Sequence, residues 1–443
     1  MRICDWGDLG RDWSRLRAGV QAGKRCATPF ALLPTNASSA EQLLSARIWT
    51  ADKNPPATNP VWRGERYHHE RIRIAYLSAD FHDHPMAILM AGLFEQHDRS
   101  RFETIALSFG ADPQNEMRSR LKGAFERFID VRQVSDREIA ELMRELEVDI
   151  AVDLMGFTAG SRTGIFAFRP APIQVNYLGY AGTLGADYID YILADRMVVP
   201  EAQQVHYAEK LVYLPDTFQV NDSGRRIADR SPTRAQAGLP GQGVIFCSFN
   251  NNFKITPDVF DVWMRLLGEV KGSVLWLQQS NEAAAGHLKH EAARRGVAPD
   301  RLIFAPRTTL LEDHLARYRL ADLFLDTLPY NAHTTASDAL WAGLPVLTCM
   351  GATFAGRVAA SLLNAVGLPE LITHSLQDYE GLALKLATDS GLLAEMRAKL
   401  QINISACSLF DTNRFRKRLE AAYQTMWEKW QTGDNPASFA VTN

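Results

Sequence analysis

Two short runs in this chain carry residue types suited to holding a nucleoside diphosphate. The first is His333-Thr334-Thr335-Ala336-Ser337-Asp338, which follows an apolar stretch at 321–326 and a Pro-Tyr-Asn-Ala loop and runs on to Gly343. Residues 334–342 read as a helix that stops at this glycine. The first N–H groups of a helix lack an intrahelical partner and attract phosphate. Thr334 and Thr335 add hydroxyl donors there, and His333 adds a donor or a charge. Asp338, one turn further on, suits a ribose diol. The competing reading is an ordinary N-cap at Thr334 or Thr335.

The second run is Cys247-Ser248-Phe249-Asn250-Asn251-Asn252-Phe253-Lys254-Ile255-Thr256-Pro257. Residues 244–249 read as a strand, Thr256 as an N-cap and Pro257 as the first helical residue. Lys254 then sits above the carboxyl end of a strand, where open α/β sheets bind ligands. The plainer alternative is a solvated surface lysine.

The elements that must position these runs alternate between strand and helix, as parallel βαβ units require. In the N-terminal half, strands are expected at 72–77, 149–154 and 173–178, with a helix from about 86 to 96. Ser135 and Glu138 form a capping box for a helix carrying Ile139, Leu142, Met143 and Leu146 at helical spacing. In the C-terminal half, strands are expected at 244–249, 273–278, 302–305, 322–326 and 345–349. Helices are expected at 257–269, 281–295, 334–342 and 357–366, with a last one at 412–431. The expected organisation is a helical N-terminal region and linker at 1–60, a lobe at 61–225, a linker at 226–242, a second lobe at 243–410, and a C-terminal helix and tail at 411–443. The fold class is α/β: two Rossmann-like lobes, the plan of a two-lobed glycosyltransferase.

Composition narrows the partners. The 443 residues are 46% hydrophobic and 22% charged, ordinary for a globular chain with room for two cores. A net charge of −3 makes no electrostatic case for nucleic acid or an anionic membrane. Five scattered cysteines without a CxxC pair indicate neither a disulfide framework nor a zinc site. No apolar run is long enough to span a membrane and the start lacks a signal-peptide pattern, so the expected location is the cytoplasm. No Asp-x-Asp follows a strand in the second lobe, so no metal site is expected, and fixed cations and helix ends must neutralise a leaving diphosphate.

The chain resembles the catalytic region of the O-GlcNAc transferases and their bacterial SPINDLY-like relatives. The segments that carry the resemblance include Tyr76-Leu77-Ser78-Ala79-Asp80-Phe81-His82-Asp83-His84-Pro85, Phe168-Arg169-Pro170-Ala171-Pro172, Leu178-Gly179-Tyr180-Ala181-Gly182-Thr183-Leu184-Gly185, Ser248 to Ile255, His333 to Gly343 and Arg357-Val358-Ala359-Ala360-Ser361. The resemblance implies a GT-B arrangement, two lobes facing a cleft that holds a nucleotide sugar, usually UDP-GlcNAc. It also implies inversion at the anomeric carbon, no metal and no other cofactor, and a polypeptide acceptor. The long tetratricopeptide superhelix of the animal enzymes is not found in the chain.

Residue by residue, the resemblance implies that Asn251 and Lys254 lie on the diphosphate side, with Lys254 catalytic. It implies that Asp338 binds ribose and that Arg307, Thr308 and His314 form the uracil segment, with Arg317, one turn beyond His314, also expected at the nucleotide sugar. The loop Thr309-Leu310-Leu311-Glu312 carries an extra residue and lacks a lysine of the animal pattern. Taken alone, His314 reads as a solvated helix histidine. Gly179 and Gly182 are placed at the donor, where missing side chains let backbone approach a sugar. His84 suits a general base for a Ser or Thr hydroxyl, or it only orients the acceptor. His82 is expected to face solvent. Met86-Ala87-Ile88 departs from a more polar pattern. The expected activity is GlcNAc transfer from UDP-GlcNAc to Ser or Thr of polypeptides. The alternatives are UDP-glucose transfer to Asn, GDP-fucose transfer, or a non-catalytic nucleotide-sugar sensor or scaffold.

Overall fold

The computed structural model describes residues 1–442 and contains two compact units, each built on one parallel sheet. One unit comprises Leu16–Leu33, Ala37–Ser223 and the residues from Asp411 on; the other comprises Met1–Arg15, Pro34–Asn36 and Gly224–Phe410.

The sheet of the first unit contains β1 (Ile72–Ser78), β2 (Phe102–Ser108), β3 (Arg127–Asp130), β4 (Ile150–Asp153), β5 (Ile173–Asn176), β6 (Tyr191–Ala194) and β7 (Lys210–Tyr213). The order is β7-β6-β5-β4-β1-β2-β3, with the short strand Phe439–Ala440 added beside β7. β2, β4 and β5 are buried along their whole length and β1 everywhere but Arg73. This two-sided burial is why parallel strands read as apolar runs rather than as alternation. The chain leaves β1 toward β2 and β3, then returns to the other side of β1 with β4. The order therefore switches between β1 and β4, in register Leu77 to Asp153.

The second sheet contains β8 (Ile245–Ser248), β9 (Val274–Gln278), β10 (Leu302–Ala305), β11 (Leu323–Leu325), β12 (Val346–Cys349) and β13 (Ile372–Thr373), in the order β10-β9-β8-β11-β12-β13. Its switch lies between β8 and β11. Ligands of open α/β sheets bind beyond the carboxyl ends at such a switch. The runs from 249 and from 326 follow these two strands, so topology brings the two chemical runs of the sequence together.

The helix Thr334–Trp341 ends as expected. Gly343 adopts φ 81° and its N–H returns to the Leu340 carbonyl at 3.0 Å, while Leu344 N–H reaches the Ala339 carbonyl at 2.8 Å. A side chain at that φ is strained, so glycine terminates the helix. The Ser135 capping box on Asp136–Glu145 is also present.

The ends of the chain divide differently from the expected 1–60 and 411–443 regions. Residues 1–15 pack with the second sheet, where Cys4 is fully buried and Trp6 meets Phe260 edge-on at 5.3 Å. The helix Ser39–Lys53 packs with the first unit, where the Thr50 hydroxyl donates to the Leu184 carbonyl at 2.8 Å. The C-terminal helix Thr412–Thr432 buries Phe415, Leu419, Tyr423 and Met426 in the first unit. Its Glu420 accepts from His97 Nδ1 at 3.0 Å. Apolar helix faces too small to form a core of their own thus join the nearest sheet.

Candidate active site

Asn250 ties the two runs of the second unit together. The Thr335 hydroxyl donates to Asn250 Oδ1 at 2.6 Å, and Asn250 Nδ2 donates to Thr327 Oγ1 at 2.9 Å. Asp326, directly after β11, accepts from Thr327 N–H at 2.7 Å, Ala332 N–H at 2.6 Å and the Thr348 hydroxyl at 2.6 Å. Sequence reasoning passed over Asn250 and Asp326. The available signal was a polar residue directly following an apolar strand in each run.

Lys254 is not a solvated lysine. It ends the short 3-10 helix Asn252–Lys254 and is buried, with Nζ donating to the Asn331 carbonyl at 2.8 Å and lying 3.9 Å from the centre of the Tyr330 ring. Burial pushes its pKa down to about 7, opposed by the charge of Asp326. Asp326 spends its oxygens on the hydrogen bonds above, so it is a distant rather than a paired counter-charge. A buried amine held by a carbonyl and a ring is a site that gains from an incoming anion. Asn251, one turn earlier, is exposed.

His333, not a threonine, is the N-cap residue of Thr334–Trp341, with φ −107° and ψ −93°. Ala336 and Ser337 N–H both turn back to the His333 carbonyl at 3.1 Å. That leaves the N–H groups of Thr334 and Thr335 at the open end of the helix. Of the two roles open to His333, a donor or a charge, the donor is the one the structure supports: burial, and then the Lys254 charge, hold its pKa well below the ordinary value. Its Nε2 lies 3.1 Å from the Ala355 carbonyl, so the neutral ring donates there and Nδ1 is left as an acceptor.

Asp338 is buried and accepts from Arg225 Nη1 at 2.6 Å. His314 Nε2 stands 3.9 Å from its other oxygen. Arg317 Nη2 donates to His314 Nδ1 at 2.6 Å and to Gln278 Oε1 at 2.7 Å, while Nη1 donates to the Pro306 carbonyl at 2.7 Å. The guanidinium also lies 4.2 Å from the Phe249 ring centre. Burial, then Arg317, push His314 down to about 3, so the ring is neutral with its proton on Nε2, facing Asp338. The solvated reading of His314 is therefore overturned, and Arg317 orients this histidine. Arg307 and Thr308 are exposed on the loop after β10.

In the first unit, His84 follows β1 and is the N-cap residue of the helix Pro85–Gln96. Its Nδ1 lies 3.3 Å from Met86 N and 3.4 Å from Asp80 Oδ2. Burial lowers the His84 pKa and Asp80 opposes this. His82 is only a quarter exposed and its ring meets that of His84 edge-on at 5.9 Å. Asp153, across the switch on β4, accepts from Met155 N–H at 2.8 Å and Gly156 N–H at 3.1 Å.

Gly179 is required by the fold itself, since a Cβ there would lie 2.0 Å from the Leu154 carbonyl oxygen at the end of β4. At Gly182 a Cβ would lie 3.1 Å from the Tyr180 ring. Buried Glu209 pins this loop, accepting from the Thr183 hydroxyl at 2.5 Å and Leu184 N–H at 2.7 Å. Among the described residues no group of three or more His, Cys, Asp and Glu is placed to hold a metal ion, and no helix is long and apolar enough to cross a membrane.

Comparison with known proteins gives the chain's family. The signature of glycosyl transferase family 41 covers residues 54–231 and 227–419. The probable UDP-N-acetylglucosamine–peptide N-acetylglucosaminyltransferase SEC of Arabidopsis thaliana is 38% identical over 405 residues, 90% of this chain and 41% of that protein. The corresponding enzyme of Caenorhabditis elegans is 28% identical over 97% of this chain and 48% of its own length. The chain thus spans less than half the length of these relatives. Among solved structures, a mutant O-GlcNAc transferase of Thermobaculum terrenum superposes with a TM-score of 0.82 at 30% identity, covering 96% of this chain and 82% of that one. A complex of Anabaena HepE with UDP and glucose, 13% identical with a TM-score of 0.55 over 80% of this chain and all of that one, shares the fold alone. With that signature spanning both sheets and both chemical runs, the chain belongs to glycosyl transferase family 41.

Proposed function

We propose that this protein transfers N-acetylglucosamine from UDP-GlcNAc to Ser or Thr hydroxyls of polypeptides, with inversion and without a metal ion. The observation that carries this reading is the buried Lys254 amine, held by a carbonyl and a ring rather than by a carboxylate, beside the open start of helix Thr334–Trp341. That pairing answers the need created when a diphosphate leaves. The bond from the anomeric carbon to the β-phosphate oxygen breaks, and the negative charge collects on UDP. Lys254 and the N–H groups of Thr334 and Thr335 stabilise it, the office a divalent cation fills elsewhere. Asp338 takes the ribose, while His314, neutral and held by Arg317, offers its ring and Nε2 proton to the base. In the first unit, His84 takes the proton of the attacking hydroxyl through Nε2.

The choice of GlcNAc and of a peptide acceptor follows the names of the relatives. A panel of UDP-GlcNAc, UDP-glucose and GDP-fucose, each with Ser/Thr and Asn peptides and assayed for nucleotide release and peptide mass, tests it. UDP release with a GlcNAc mass increment on Ser or Thr, undiminished by excess EDTA, is the expected result. A hexose on Asn, a fucose, or binding without turnover overturns the donor and acceptor assignment. Loss of activity in EDTA, restored by Mg²⁺ or Mn²⁺, overturns the metal-free one.

A further inference from the structure

One nitrogen of His84 has two competing partners. Nδ1 lies 3.3 Å from Met86 N–H, which needs an acceptor, and 3.4 Å from Asp80 Oδ2, which needs a donor. A neutral imidazole satisfies only one of them. If Nδ1 accepts from Met86, the proton sits on Nε2, and Nε2 can donate but cannot take a proton. If Nδ1 carries the proton and donates to Asp80, the Nε2 lone pair is free. Met86 N–H is the second in its helix and has no intrahelical acceptor in either case.

From this geometry we infer that Asp80 is a positioning residue for glycosyl transfer: its carboxylate holds the proton of His84 on Nδ1 and so leaves Nε2 as the base. The inference rests on the proposed base role of His84. Asp80 is itself fixed by its surroundings. Its N–H donates to Ser78 Oγ at 2.9 Å and its carbonyl accepts from His82 N–H at 2.8 Å. The next residue's carbonyl, that of Phe81, accepts from buried Arg118 Nη1 at 2.9 Å. The carboxylate is about one-sixth exposed, so its charge is only partly screened. The other titratable groups acting on His84 are His82 and Asp83. As the hydroxyl oxygen bonds to the anomeric carbon, its proton passes to Nε2, and the imidazolium that forms faces the Asp80 carboxylate through Nδ1–H. The proton stays on His84. A carboxylate behind a histidine base acts in this way by setting the tautomer and stabilising the cation.

Two measurements test the inference. Imidazole ¹⁵N shifts of the wild-type protein report the tautomer directly. The Nδ1–H form is expected, and an Nε2–H ring at neutral pH overturns the inference without any variant. In the second, peptide transfer and UDP affinity are measured for Asp80→Asn, Asp80→Glu and His84→Ala. Asp80→Asn should lower kcat by about ten- to a hundredfold, part of the 10²–10⁴ that a general base supplies. It should leave UDP affinity within about twofold. Its kcat profile should lose activity at a lower pH than wild type, because removing the negative charge makes His84 harder to protonate. Asp80→Glu should recover part of the loss. A wild-type kcat and pH profile in Asp80→Asn, with His84→Ala inactive, overturns the role of Asp80 alone. Full transfer by His84→Ala instead overturns the base assignment beneath it.

Discussion

Arg225 Nη1 donates to Asp338 Oδ1 across 113 residues of sequence, at 2.6 Å, with both side chains almost wholly inside the protein. The carboxylate proposed to take the ribose therefore also neutralises a buried guanidinium. Removing one member of such a pair strands the other, at a cost of about 3–5 kcal/mol. Asp338→Ala should lose that much stability by denaturant titration as well as UDP affinity. The double variant Arg225→Met with Asp338→Leu should regain most of the stability but not the affinity. Wild-type UDP affinity in the double variant would remove Asp338 from the nucleotide site.

Lys254 has a buried amine whose partners are a carbonyl and a ring. Lys254→Met keeps the length of the side chain and removes the charge that would meet the diphosphate. Turnover should fall by roughly 10²–10³, the usual effect of losing one preorganised charge-stabilising group. Stability should change by no more than about 1.5 kcal/mol, because the substitution approximately conserves volume. Wild-type kcat in the folded variant would refute the role of this lysine.

The same lysine should make UDP binding sensitive to pH. Burial pushes it from its ordinary 10.5 down to about 7. Between those values the unfolded chain holds a proton that the folded chain lacks, so this group makes stability rise with pH across that window in the ligand-free protein. A bound diphosphate favours the ammonium form. UDP must then bring in a proton above pH 7, and its affinity should fall as pH rises from about 7 to 9, by up to about tenfold per unit. Calorimetry at pH 8 in two buffers of different ionisation enthalpy should show proton uptake in wild type and none in Lys254→Met. Identical heats in both buffers for wild type would show that the lysine stays charged in the free protein.

Gly179 and Gly182 lie three residues apart but should respond differently to alanine. A Cβ at 179 would lie 2.0 Å from the carbonyl oxygen of Leu154, which is main chain and cannot turn aside. Gly179→Ala should cost about 1–3 kcal/mol, the usual penalty of overpacking. A Cβ at 182 would meet a ring carbon of Tyr180 at 3.1 Å, which a small ring displacement relieves. Gly182→Ala should therefore be the milder change in a denaturant titration. Equal costs at the two positions would contradict this account of the loop.

Much of the frame was legible in the residues. The strands β1, β4 and β5 of the first sheet and β8 to β12 of the second, the helix stop at Gly343 and the capping box at Ser135 are dictated by local backbone and side-chain rules, so a window of a few residues reveals them, whereas β2, β6 and β7 were not read from the sequence. The two-residue strands Ile372–Thr373 and Phe439–Ala440 are too short to show a period, and partners elsewhere in the chain define them. The same holds for β3, which is exposed at both ends and half-buried between.

The chemical runs around Lys254 and His333 were also legible, because a polar loop between an apolar strand and a helix start is a local signal. What each side chain does was decided by tertiary structure alone. Asn250 meets Thr335 across 85 residues, and Lys254 meets Asn331 across 77. Neither separation leaves a trace in spacing or periodicity. Lys254 is pushed to about 7, His314 to about 3, and His333 well below its ordinary value because strands from distant parts of the chain close over them and exclude water. Desolvation belongs to the assembled sheet rather than to a residue type. The sequence alone therefore determined which groups stand at the strand ends, and only the packed structure determined which of them are charged and which remain free for a ligand.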